Sequence, residues 1–142
     1  MKRILMLATL SFVFLLSGCI GESYDFTPPS VSLEQKELEE ANINWDSDKE
    51  YTKETEDILS LAKEQKPLYF SSGEQVTILF DSQDFAIEEL SAQVWQNDNK
   101  TELQVNDQDF SLPKEKGEYV VVVDLISDSG TAQYVGNIVI NE

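Results

Sequence analysis

The chain has no histidine, one cysteine and one arginine, Cys19 and Arg3, among 142 residues. The absence of imidazole excludes Ser-His-Asp and Cys-His nucleophilic catalysis, His-liganded metal centres and side-chain proton shuttles of the histidine kind. A single cysteine excludes an internal disulfide and a Cys-rich zinc site. Glycine is sparse at six residues, and none falls in a phosphate-cradling loop after a strand; no internal repeat is present. Cations are few: 10 Lys plus Arg face 27 Asp plus Glu, a net charge of −17. Such a surface repels nucleic-acid phosphates and anionic lipid headgroups, so neither is a direct partner. Two carboxylates suffice for glycoside hydrolysis, but only in a shaped cleft, and a chain of this size offers no sign of one. The expectation is a protein that is not an enzyme and carries no cofactor.

What is present begins with an address. Lys2 and Arg3 precede an apolar run from Ile4 to Leu16, followed by Ser17, Gly18 and Cys19. A basic start, an apolar stretch too short for a comfortable membrane span and small residues at its end are the parts of an export signal. The order Leu16-Ser17-Gly18-Cys19 resembles the lipobox of bacterial lipoproteins. That resemblance implies cleavage after Gly18, a diacylglyceryl group on the Cys19 sulfur, and a protein anchored by lipid on the extracytoplasmic face of the cell membrane. Two acyl chains suffice for stable anchoring, at about 0.8 kcal/mol per buried methylene, without nearby basic residues. Loss of residues 1–18 would leave eight lysines, no arginine and all 27 acids, a net charge of −19.

The remaining chain divides by composition. Residues 19–32, with Pro28-Pro29 and scattered Gly and Ser, read as a flexible tether. Residues 33–66 read as an acidic helical segment. Ser32 with Gln35 and Ser47 with Glu50 have capping-box spacing, and Ile58, Leu59, Leu61 and Ala62 give one apolar helical face; the Glu-rich stretch Leu33 to Ala41 is a short helix at best. Trp45 is expected to pack on the domain that follows. Residues 67–142 read as seven short strands, near 68–71, 74–81, 91–96, 101–105, 110–112, 118–126 and 133–140. They are separated by the turn residues Ser72-Gly73, Asn97-Asp98-Asn99, Asn106-Asp107, Lys116-Gly117 and Asp128-Ser129-Gly130. The expected core comprises Val76, Ile78 and Phe80 with Tyr119, Val121, Val123 and Leu125. Val120 to Val123 is apolar on both faces, which marks a central strand covered on its second side, with the helix as the candidate cover.

Gly117-Glu118-Tyr119-Val120-Val121 is similar to the tyrosine corner of immunoglobulin-like and fibronectin-like domains, with Val121 where those domains place their second cysteine and Trp95 where they place the core Trp. The resemblance implies a mainly β fold, an immunoglobulin-like sandwich of about seven strands preceded by a short helical segment.

Oxygen-rich turns make calcium the metal to consider: Asp81 and Asp84, Asn97 to Asn99, Asp107 and Asp109, and Asp124 and Asp128. None follows EF-hand order, and Asn and Asp are also what turns recruit for their own geometry, so no metal site is expected. Cys19 is the one residue with an assigned chemical role, lipidation. The function expected is a binding or accessory module held at the membrane, with an envelope protein or a cationic peptide as partner. The alternatives are an immunity or inhibitor lipoprotein sequestering a cationic peptide or envelope enzyme, and a structural subunit of an envelope complex.

Overall fold

The computed structural model describes residues 28–46 and 50–141. The signal segment 1–18, Cys19 and most of the tether lie outside the described residues. Among the described residues eleven strands and one helix follow in the order β1 Val31–Leu33, β2 Lys36–Glu37, β3 Glu39–Asp46, β4 Glu50–Lys53, α1 Ile58–Lys63, β5 Leu68–Ser71, β6 Gln75–Phe80, β7 Ile87–Gln96, β8 Asn99–Leu103, β9 Asp109–Ser111, β10 Gly117–Ser127 and β11 Gly130–Asn141.

The strands form a two-sheet sandwich. One sheet has the order β2-β1-β6-β9; the other runs β4-β3-β11-β10-β7-β8, with β5 also on β11. All pairings are antiparallel except β5 with β11, which is parallel from Ile138↔Leu68 to Asn141↔Ser71. The seven strands expected from residue 67 onward are β5 to β11, each at its expected place. Alternation explains their facing. Val76 and Ile78 of β6 meet Tyr119, Val121, Val123 and Leu125 of β10 in one buried cluster, with Phe80 packed on its margin. The tyrosine corner is formed: the Tyr119 hydroxyl donates to the Glu115 carbonyl oxygen at 2.9 Å, and Val121, two residues on, is wholly buried. Burial pushes the Tyr119 phenol above its ordinary pKa, and Glu115 adds to the shift.

Strand β10 is covered on both sides. Its second face, Val120 and Val122, joins Val135, Ala41 and Ala62 in a smaller cluster, closed by Ile58, Leu59 and Leu61 of α1. The helix therefore does lie on the sheet, as the apolar Val120–Val123 run implies. Its cap is Asp57, whose carboxylate accepts from the Ser60 N–H at 3.1 Å. The Ser32–Gln35 spacing caps no helix, since Ser32 sits in β1; Ser47 lies outside the described residues.

Residues 33–46 and 50–53 depart from the helical expectation, and Val31 and Ser32, read as the end of the tether, belong to β1. Leu33 to Ala41 holds the end of β1, the tight hairpin to β2 and the start of β3. Residues 31–46 and 50–53 extend both sheets, with β1 pairing β6 and β3 pairing β11. The physical reason is a period of two: Val31 and Leu33, then Ile43 and Trp45, are buried at alternate positions. A bulge in β3, where the β11 register shifts between Ala132 and Tyr134, switches faces within the strand. Ala41 consequently lies under the helix while Ile43 and Trp45 enter the main core. Trp45 packs on the sandwich, edge-on to Phe85 at 5.4 Å between ring centroids.

Trp95 is a correction. Val94, not Trp95, points into the main core; Trp95 stands on the outer face beside the helix cluster. Two-residue spacing from Ala92, which is buried, sets that parity.

Candidate functional site

The outer face of the larger sheet is where polar groups and concavity coincide. Strand pairing aligns Trp95, Val120 and Asn137 in one row across β7, β10 and β11, and Ser91, Asp124 and Gln133 in another two residues further along each strand than the Gln93-Val122-Val135 row between them. Helix α1 covers the middle of this face. On one side of it a groove of about 400 Å³ is lined by Leu59, Lys63, Trp95, Asn97, Glu118 and Asn137. On the other a shallower groove of about 350 Å³ is lined by Asn42, Asp124, Ile126, Thr131 and Gln133.

The second groove is floored by a continuous hydrogen-bond chain. The Thr55 N–H donates to Asn42 Oδ1 at 2.8 Å, and Asn42 Nδ2 to Gln133 Oε1 at 2.7 Å. Gln133 Nε2 donates to Asp124 Oδ1 at 2.9 Å, and Gln93 Nε2 reaches Asp124 Oδ2 at 3.5 Å. Asp124 is thus a carboxylate on the central strand, partly withdrawn from water. That desolvation raises its pKa above the ordinary carboxylate value; the Gln133 bond pulls it down, Glu102 pushes it up and Lys100 pulls it down. Two buried polar atoms of β7 have no hydrogen-bond partner, Gln93 Oε1 and Trp95 Nε1. Both belong to this face: Trp95 lines the first groove, and Gln93 reaches Asp124 of the second.

The oxygen-rich turns serve the backbone and are spread over the fold. Asp81 Oδ1 accepts from the Ser30 N–H at 2.7 Å, Asp128 Oδ1 from the Ala86 N–H at 2.8 Å, and Asp109 Oδ1 from the Thr77 hydroxyl at 2.7 Å. Asn97 and Asp107 supply the left-handed positions, with φ of 57° and 60°. Asp84 is exposed in a loop, Asp98 in a turn and Asn99 at the start of β8. Among the described residues no group of three or more His, Cys, Asp or Glu side chains is arranged to hold a metal ion.

Ser-x-x-Lys spacing, expected to be absent, occurs twice, at Ser60 to Lys63 and at Ser111 to Lys114. The Ser60 hydroxyl is bound to the capping carboxylate, 2.8 Å from Asp57 Oδ2, and Ser111 is exposed on the edge strand β9. The polar row Asn42, Gln133, Asp124 and Gln93 was silent in the sequence. Its members come from four strands, 91 residues apart at the extremes, and only the alternation of polar with apolar residues in β7, β10 and β11 hinted that each faced outward.

Comparison with known proteins adds no identity: no family model matches the chain, and no curated protein matches it.

Proposed function

We propose that this chain is a lipid-anchored, extracytoplasmic lipoprotein whose sandwich works as a non-enzymatic binding or accessory module at the cell membrane. The observation that carries the reading is the order Leu16-Ser17-Gly18-Cys19 behind a basic start and an apolar run. The sandwich supports it by where it receives the tether. Pro29 and Ser30 are clasped at the end of the sandwich that holds the Asp81–Ala86 loop and the Ser127–Gly130 turn: Tyr134 binds the Pro29 carbonyl, and Ser30 and Asp81 exchange two hydrogen bonds. Nine residues separate Cys19 from Pro29, a reach of roughly 30 Å when extended. An anchored sandwich would turn that end to the membrane and hold the Trp95 groove, at the opposite end of β7, away from it.

Metabolic labelling with a fatty acid tests the anchor. The wild-type chain takes up label and partitions with membranes, whereas Cys19→Ala takes up none. Equal labelling of the Cys19→Ala chain overturns the reading.

The charge favours a second role for the same module. A net of −19 with outward-facing acids steers cationic partners, so a cationic peptide is the ligand class to try for an immunity or inhibitor function. Its signature is binding at low ionic strength that collapses with salt; no binding at low salt removes it. A structural place in an envelope complex is tested by cross-linking in intact cells, with loss of the partner in Cys19→Ala as the supporting result.

A further inference from the structure

We infer that the free edge of β8 pairs antiparallel with β8 of a second copy of this chain, joining two seven-stranded sheets about a two-fold axis at Thr101. Among the described residues strand β8 is an outermost strand of the larger sheet, and Asn99 to Glu102 are exposed. Its backbone parity follows from the turn that precedes it. Gln96 and Asn99 close a two-residue connection with Asn97 at φ 57°, the geometry in which the flanking residues exchange both hydrogen bonds. Alternation along an antiparallel ladder makes Thr101 and Leu103 the next inward-bonding residues. Lys100 and Glu102 therefore aim their N–H and C=O groups away from β7, as unspent donors and acceptors on the open edge.

Self-pairing that satisfies those groups must set an outward-bonding residue opposite another. The register centred on Thr101 does so, with Lys100 opposite the copy's Glu102 and Glu102 opposite the copy's Lys100. Charge and backbone are matched by one operation. Within the chain Lys100 already lies 3.2 Å from Glu102, so pairing would close a square of alternating charges. Strand β4, at the other edge of this sheet, has no equivalent: the registers allowed by the same rule place Lys53 opposite Tyr51 or another lysine. In a strongly acidic protein that repels its own kind, a local match of cation to anion selects which edge two copies use.

The test uses the full chain with Cys19→Ala, so that an introduced thiol stands alone and the outcome does not depend on lipidation. In the stated register the two Thr101 residues form a non-hydrogen-bonded pair with Cα atoms about 4.5 Å apart, within disulfide reach. Thr101→Cys is expected to give a disulfide-linked dimer under mild oxidation, while Asn99→Cys, whose two copies would lie roughly 13 Å apart along the ladder, is not. Adding Lys100→Glu or Glu102→Lys to Thr101→Cys should each reduce the cross-link at least tenfold, by setting like charges opposite. Mixing those two variants, one carrying a mass tag, should restore it as a heterodimer, because both contacts then pair opposite charges. Thr101→Cys that cross-links no more than Asn99→Cys, or a mixture no better than its components, overturns the proposal.

Discussion

The hydroxyl of Tyr134, wholly buried in β11, donates a 2.5 Å hydrogen bond to the carbonyl oxygen of Pro29, 105 residues earlier. The bond fastens the first described residues to a strand at the heart of the larger sheet. Burial, with Glu40, Asp81 and Tyr51 nearby, drives the phenol pKa far upward, so the proton stays on oxygen and the group remains a donor at any workable pH. Tyr134→Phe removes the donor and leaves a buried carbonyl unsatisfied. The expected loss is about 1–3 kcal/mol, with hydrogen exchange and proteolysis increasing at Pro28 to Val31 while β10 stays protected.

Gly130 closes the β10–β11 hairpin with φ 144°, a conformation that L side chains rarely adopt. A Cβ there would run into the Asn44 carbonyl oxygen and lie 2.8 Å from the Trp45 Cα. Gly130→Ala is therefore expected to cost about 1–3 kcal/mol, and to loosen β3, whose contact with β11 begins at this residue. Denaturant unfolding followed by Trp fluorescence reads both the loss and the release of Trp45.

Asp124 sets a pH dependence of unusual sign. Its folded-state pKa is raised, chiefly by desolvation. Its favourable contribution is therefore fully present below the ordinary carboxylate pKa and is lost as pH rises through the raised value. Asp124→Asn keeps an oxygen for Gln133 and offers an N–H₂ toward Gln93, whose Oε1 lacks a donor. The variant should melt higher than the wild type at pH 7, and the gap should narrow as pH falls through the carboxylate range. Asp57 behaves oppositely. Its bonds to Ser60 lower its pKa, so its capping contribution is present above the ordinary value and fades as pH falls through the lowered one.

Trp95 separates a buried orphan from a packing role. Its Nε1 has no partner, so Trp95→Phe removes an unsatisfied donor and keeps most of the ring; stability should stay within about 0.5 kcal/mol of the wild type. Trp95→Ala strips the side of the helix cluster and should cost about 2–3 kcal/mol. Calorimetry of the pair distinguishes the two contributions.

The sandwich was legible where local pattern and tertiary place agree. The alternation of Val76 with Ile78 and of Tyr119 with Leu125 named a face, and Gly73, Asn97, Asp107 and Gly130 marked turns through backbone conformations their residue types tolerate. Val120 to Val123 even disclosed a second covering layer. Strands β1 to β4 were hidden because Glu and Lys fill their solvent side, so composition favoured helix while Val31, Leu33, Ile43 and Trp45 carried the weaker signal of period two. Trp95 was misplaced because two apolar neighbours, Val94 and Trp95, compete for one inward position. The hydrogen-bonded row from Asn42 to Gln93 was out of reach: each member is an ordinary outward polar residue, and only sheet order brings them together.

The two neighbours of β11 have a consequence for how the chain acquires its shape. Strands β3 and β5, made early, both lie along the same edge of β11, the latest strand of the sandwich. A polypeptide emerging from its N-terminus holds β3 and β5 without the strand they share until about residue 141 has been made. Loop-closure entropy over such separations makes folding late, slow and all at once rather than progressive. During that interval the alternating apolar residues of β1, β3 and β5 are uncovered, and the acids interspersed among them keep the unfinished chain dispersed.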